Sequence, residues 1–270
     1  MMDVFTARAT IAAQARALTT ELLPLADTHR RIAAADIAST IDVPPADNSA
    51  MDGYALTAAC QSPPWSLPIS QTLAAGTPPS PLQPGTAVRI FTGAEIPPGA
   101  NAVVIQEECE RDGDQVTIKA AVRPGDNIRP RGQDIGQGQT LVHQGEILTS
   151  LHLGLLASCG VHQLEVARRP RVALLSSGAE LVEPGQPLGP GQIYNSNMSM
   201  LRALLQEWGC DLTTPICVAD DLDSTCAALE TSANSADLII STGGVSVGDA
   251  DHLKAAISRL GELDLWKVNI

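Results

Sequence analysis

The chain has 270 residues, room for two or three domains, and 30 acidic against 17 basic side chains, a formal net charge of −13. Such a balance lacks the basic footprint of a nucleic-acid binder, so nucleic acid is excluded as a partner. Aromatic residues make up only 3%, so the cores must be built from Ala, Leu, Ile and Val. No apolar run is long enough to span a membrane, and no basic-then-apolar leader opens the chain. The six cysteines are scattered without a C-x-x-C pair, which fits free thiols in a reducing cytoplasm.

Taken in chain order, residues 6–23 read as an amphipathic helix, with Ile11, Ala15, Leu18 and Leu22 at helical spacing and Pro24 as the stop. Residues 25–41 are expected to hold a short helix around Arg30-Arg31-Ile32 and then a strand. From Val43 the character changes to many Pro and Gly with short β-branched runs. Residues 88–91, 102–105 and 115–118 read as strands, and the Arg111-Asp112-Gly113-Asp114 turn is expected to join the last two as a hairpin. Residues 44–138 therefore form a small β-rich, barrel-like domain, inserted between two halves (1–43 and 139–169) of a linker domain. Residues 149–158 read as a helix capped by Thr149 or Ser150 and stopped by Gly160.

From residue 170 strands and helices alternate: strand 171–175, helix 197–208, mostly strand 211–218, helix 222–233, strand 237–241, helix 251–260. Alternation of this kind predicts a three-layer parallel α/β domain with helices on both faces. Ligands of such sheets sit beyond the carboxyl ends of the strands. Two strand ends carry suitable loops, Ser176-Ser177-Gly178-Ala179-Glu180 and Ser241-Thr242-Gly243-Gly244-Val245-Ser246. In the second, Gly243 and Gly244 would let a phosphate approach the backbone, with hydroxyls from Thr242 and Ser246. A plain glycine turn with Asp251 capping the next helix is the duller alternative. Glu180, Asp220-Asp221, Asp249 and Asp251 gather acids near one face, where an anionic ligand needs a bridging cation, and Mg²⁺ is the natural one. Elsewhere, Arg129 and Arg131 are either a surface turn or an oxyanion contact.

Five strings in order carry a resemblance: DNSAMDGYA from Asp47, RIFTGAEIPPGANAVVIQEE from Arg89, NIRPRGQDIGQG from Asn127, RVALLSSGAELVEPGQPLGPGQIYNSN from Arg171, and STGGVSVGDADHLK from Ser241. Together they resemble the molybdopterin molybdenumtransferase family, the MoeA-type proteins of molybdenum cofactor biosynthesis, to which the C-terminal part of gephyrin also belongs. The resemblance implies a Mg²⁺-assisted transferase that inserts molybdate into adenylylated molybdopterin and releases AMP. By position it implies site roles for Asp52, Thr92, Glu180, Asp220, Asp251 and Lys267. Cofactor contacts fall at Ser177, Gly178, Asn195, Ser241, Thr242, Gly243, Gly244 and Ser246, and metal ligation at Glu180, Asp220 and Asp251. It further implies an elongated cytoplasmic homodimer that meets a molybdopterin adenylyltransferase.

Two departures stand out. Ala179 replaces an acid of the family's G-D-E-L string, and His252 replaces the usual aromatic after Asp251. Family chains also run on past Ile270 into a K-P-G-K-P-type segment, a G-L-P-G-N-P loop and a fourth, β-rich domain. The α/β domain is accordingly expected to be C-terminally truncated, with an exposed sheet edge that promotes association. The alternative function is a scaffold that keeps the cofactor-binding surface without catalysis. Another enzyme on the same cofactor domain is disfavoured, because a molybdopterin adenylyltransferase or a competence-type nucleotide hydrolase lacks DNSAMDGYA and the inserted domain.

Overall fold

A computed structural model describes residues 2–58, 61–243, 252–263 and 268–269. The chain divides into two compact units, one of Pro24–Asp27 and Ala35–Leu164, the other of Met1–Leu23, Thr28–Ala34 and Glu165–Ile270.

The first unit is organised by six strands: β1 (Gly53–Leu56), β2 (Trp65–Leu73), β3 (Ala87–Ile90), β4 (Ala102–Ile105), β5 (Cys109–Asp112) and β6 (Gln115–Ile118). They form one mixed sheet in the order β4-β1-β3-β2-β6-β5. Only the β2–β3 pair is parallel, and it carries a bulge between Ile69 and Gln71. Alternation along the strands splits the apolar side chains between two faces. Tyr54, Leu56, Val104, Val116 and Ile118 pack on one face, and Ala55, Leu73, Val88, Ile90 and Val103 on the other.

The order ends at β4 and β5, and Tyr54 and Val104 near one end share a core with Val116 and Ile118 near the other, so the sheet curls as a half-barrel without closing, the barrel-like form expected. The hairpin expectation needs correction. The turn at Gly113 joins β6 to β5, not to β4, which pairs with β1 at the far end of the sheet. The β5 segment Cys-Glu-Arg-Asp has no alternating apolar pattern, so its sequence gives no strand signal. The helix Ser150–Ser158 appears as expected, with Thr149 capping and Gly160 in a left-handed conformation, φ 77°.

The second unit contains β7 (Arg171–Ser177), β8 (Asp211–Leu212), β9 (Ile216–Val218) and β10 (Leu238–Thr242), with α1 (Ser196–Glu207), α2 (Leu222–Ser235) and α3 (His252–Leu260). Strands β8, β9 and β10 each pair with β7 in parallel. Val172 faces both Leu212 and Leu238, and Leu175 faces both Ile216 and Ser241, so β8 and β9 share one edge of β7 while β10 runs along the other. Where one strand was expected over 211–218, Thr213, Thr214 and Pro215 break it in two. Val172 and Leu174 bury against Met198 and Leu205 of α1, each worth about 1.5–3 kcal/mol of apolar burial. The opposite face of β7 carries Leu175, which lines one hollow together with Thr225 of α2 and Leu253 of α3.

Near the N-terminus the helix runs over Val4–Gln14, not 6–23. Asp3 starts it by accepting from the Phe5 and Thr6 backbone N–H groups, both at 3.0 Å. Ala15 is already extended, and Thr20–Pro24 is a strand in which β-branched Thr20 and the terminal proline suit extended backbone. No helix forms at Arg30-Arg31-Ile32, because Arg30 adopts φ 61°, outside the helical region.

Candidate functional site

The carboxyl ends of β7 and β10 lie side by side, with Ser176 in register with Thr242. Gly243 follows β10 with φ 88°, and a Cβ there would stand 2.4 Å from the Ser177 carbonyl oxygen. Glycine is therefore required both for the turn and for the close approach of the two strand ends. Beside this junction opens a cleft of about 190 Å³ whose lining includes Ser177, Glu180, Tyr194, Asn195, Thr242 and Gly243. Four residues expected from sequence as cofactor contacts, Ser177, Asn195, Thr242 and Gly243, are thus brought together with Glu180, expected as a metal ligand. Gly178 belongs with them: its φ is 146°, and the Glu180 carboxylate folds back to within 2.7 Å of where a Gly178 Cβ would stand.

A smaller hollow on the same strand ends is lined by Ser176, Ser177, Asp220, Ser241, Gly243 and His252. The two consecutive acids have separate tasks. Asp221 caps α2, accepting from the Ser224 N–H at 2.8 Å, and this bond holds its carboxyl below the usual carboxylate range. Asp220 is left facing the hollow, and neither it nor Glu180 has a side-chain hydrogen bond or ion pair among the described residues.

Asn195 and Thr242 differ from a simple ligand-contact picture. Asn195 is 2% exposed. Its Oδ1 accepts from the Met198 N–H at the start of α1, and its Nδ2 donates to Ser176 Oγ at 3.0 Å. It braces the cleft wall by tying α1 to β7. The Thr242 hydroxyl oxygen is sealed from solvent and has no partner among the described residues. Gly244, Ser246, Asp251 and Lys267 lie outside the described residues.

In the β-rich unit the structure joins Asp52 to Thr92. Asp52 Oδ1 accepts from the Thr92 N–H at 2.8 Å and from its hydroxyl at 2.7 Å. These bonds, with a smaller contribution from Arg89, hold the Asp52 carboxyl below its ordinary range. Gly53 fixes the placement, since a Cβ there would lie 1.9 Å from the Val104 carbonyl oxygen of β4. Arg129 and Arg131 follow the surface-turn alternative. The first donates to Asp134 at 2.6 Å and the second to Asp42 at 2.5 Å.

Sequence reading missed Arg89, whose guanidinium lies against the Tyr54 and Phe91 rings. Neither the Tyr54 strand nor the Arg89 strand alternates in burial, and their cross-strand pairing is not a local signal.

A parallel α/β unit with a glycine-built cleft at its strand ends belongs to the class of folds whose ligands sit beyond the carboxyl ends of the strands. The comparisons specify which kind. Residues 2–160 match the MoeA N-terminal region (domain I and II) and residues 173–269 match a probable molybdopterin binding domain. The chain belongs to the MoeA family. It is 40% identical over 253 residues to the molybdopterin molybdenumtransferase of Haemophilus influenzae, covering 93% of this chain and 63% of that protein. A Mycobacterium tuberculosis molybdopterin molybdenumtransferase 2 is 40% identical over 252 residues, covering 91% of this chain and 62% of that protein. The crystal structure of a molybdopterin biosynthesis MoeA protein from Pyrococcus horikosii superposes with TM-score 0.88 at 33% identity, covering 99% of this chain and 69% of that one. The chain thus spans a little under two thirds of the length of the curated relatives it matches. Among the described residues no helix is long and apolar enough to cross a membrane.

Proposed function

We propose that the chain inserts molybdate into adenylylated molybdopterin with release of AMP, a step of molybdenum cofactor biosynthesis. The observation that carries this reading is the strand-end cleft of a family whose relatives are named molybdopterin molybdenumtransferases. Gly243 opens the backbone beside Ser177, and Glu180 stands at the rim with a carboxylate that no described residue engages.

Mg²⁺ suits the donor set. It takes one or two carboxylates and fills its remaining positions with ligand phosphates and water. Glu180 and Asp220 offer hard oxygens without a partner among the described residues, and those residues contain no three-ligand cage. The substrate's own phosphates, with Asp251 as a further ligand, would complete such a site. Bound there, Mg²⁺ would neutralise pyrophosphate charge.

The chain's residues supply the rest by position. Ser177, Gly178, Ser241, Thr242, Gly243, Gly244 and Ser246 cradle the pterin phosphate, and Asn195 holds the wall behind it. Asp52 and Thr92 act as a polar pair from the β-rich unit, and Lys267 meets oxyanion charge. Positioning molybdate against the dithiolene and stabilising the leaving AMP account for most of the catalysis, and no side-chain nucleophile is assigned. In this reading residues 1–43 and 139–169 serve dimerisation, 44–138 form the insert and 170–270 hold the pterin. The protein works as a cytoplasmic homodimer that receives its substrate from a molybdopterin adenylyltransferase.

Calorimetric titration of the chain with adenylylated molybdopterin, with and without Mg²⁺, tests this reading. Mg²⁺ is expected to strengthen binding, and Glu180→Gln and Asp220→Asn are each expected to weaken the Mg²⁺-dependent part about tenfold, or about 1.4 kcal/mol. Equal affinity with and without Mg²⁺ in all three proteins would remove the carboxylates from the site.

A further inference from the structure

Arg89 lies directly across the ladder from Tyr54. Its guanidinium carbon is 5.2 Å from the Tyr54 ring centroid and 4.9 Å from that of Phe91, within range of cation–π attraction to both. The edge of the fork is used as well. One terminal nitrogen donates to the Gly53 carbonyl at 3.2 Å, the other to Gln106 Oε1 at 2.7 Å. Gln106 in turn donates its backbone N–H to the Asp52 carbonyl at 3.0 Å. A single side chain is therefore tied, directly and through Gln106, to the carbonyls of both Asp52 and Gly53.

The Asp52 carboxylate is asymmetric. Thr92 places both of its donors on Oδ1, and among the described residues Oδ2 has no partner. The direction of Oδ2 depends on how the Asp52 backbone and the Phe91-Thr92 segment are held. Arg89 touches both, through Gly53 and Gln106 on one side and the Phe91 ring on the other.

We propose that Arg89 is a positioning residue, holding the open Asp52 oxygen in its working direction through the Gly53 and Gln106 bonds and the Phe91 stack. This rests on the reading of Asp52 and Thr92 as site residues. Only a planar fork can lie against aromatic rings and hydrogen-bond along its edge at once, so lysine does not replace it.

The test compares Arg89→Lys, Arg89→Met and Asp52→Asn with the unaltered chain. It reads AMP release from adenylylated molybdopterin with molybdate and Mg²⁺, the Asp52 carboxyl titration by NMR, and the amide exchange of Thr92. Circular dichroism melts confirm folding. Both Arg89 variants are expected to lower kcat about tenfold or more with little change in KM, because misplacement costs turnover rather than binding. Thr92 amide exchange is expected to speed up in both. Arg89→Met should raise Asp52 proton affinity roughly threefold, the effect of one unit charge across several ångströms of hydrated surface, and Arg89→Lys should not. Full turnover in Arg89→Lys would overturn the proposal, leaving charge alone as the cause. If Asp52→Asn keeps full turnover, or no protein releases AMP, the reading of the site fails and Thr92 exchange decides. Faster exchange in both variants then supports positioning, and unchanged exchange overturns it.

Discussion

Gly53→Ala is the sharpest probe of how the DNSAMDGYA segment is built. A Cβ at Gly53 would stand 1.9 Å from the Val104 carbonyl oxygen, 2.8 Å from its carbonyl carbon and 3.2 Å from Ile105 Cα. All three are backbone atoms of β4, so no rotamer change relieves the contact. An ordinary Cβ–oxygen separation of about 3.3 Å requires β4 to withdraw by more than ~1 Å. The Gly53–Ile105 and Tyr54–Val104 pairings would loosen as it moves. Overpacking costs about 1–3 kcal/mol, and each weakened ladder bond adds about 1 kcal/mol. A loss of about 3 kcal/mol is expected, lowering the melting temperature by roughly 6–12 °C for a unit of this size. Urea and thermal unfolding followed by circular dichroism measure it. Gly136→Ala is the control, because a Cβ there meets nothing within 4 Å, and its effect should stay within about 0.5 kcal/mol. If Gly53→Ala is as stable as that control, the close approach of β1 and β4 is wrong, and with it the placement of Asp52.

Asn195→Ala removes the α1 cap and the bond to Ser176, so a loss of about 2 kcal/mol is expected in urea unfolding. A loss of affinity for adenylylated molybdopterin at unchanged stability would instead make Asn195 a direct contact. Thr149→Ala breaks a reciprocal cap with His152, both bonds at 3.3 Å, and should cost about 1 kcal/mol; an unchanged unfolding midpoint would contradict the cap. Arg168 grips Asp237 through both carboxylate oxygens, at 2.6 and 2.7 Å, and the Arg171 N–H adds a third donor. These bonds depress the Asp237 carboxyl well below its ordinary 3.8. A depressed folded-state value gives stability that is present above the unfolded value and lost as pH falls from there through the folded value. Asp237→Asn should therefore unfold at lower urea than the parent at pH 6, and the gap should shrink as pH drops below about 4. A gap that does not change with pH would contradict the linkage.

Much of the α/β unit was legible because its elements announce themselves locally. The strands of residues 171–177 and 238–242 are short apolar runs bounded by Gly178 and Gly243, and the intervening helices have polar caps. The failures have physical causes. The β2 strand carries Pro68 within it, opposite Gln115, and proline argues against a central strand. The β1 strand is hidden in a string that reads as a polar loop, although Gly53 to Leu56 are all buried. The helical spacing continues through Leu18 and Leu22 although the helix ends at Gln14, because spacing alone does not report that the backbone has turned to strand.

The site was legible as a set of strand-end residues, and Ser177, Glu180 and Gly243 do meet in one cleft. What no local pattern reveals is the division of labour. Asp221 caps while Asp220 stays open, Asn195 braces with both side-chain polar atoms engaged, and Arg129 and Arg131 are taken up by Asp134 and Asp42. Each outcome depends on a partner supplied by the fold.

AMP release is the most direct measurement of the proposed insertion. The purified chain is incubated with adenylylated molybdopterin and Mg²⁺, with and without molybdate, beside Glu180→Gln and Asp52→Asn. Molybdate-dependent release by the unaltered chain, reduced at least about tenfold in each variant, is the expected result. Release that ignores molybdate, or that both variants match, would contradict it.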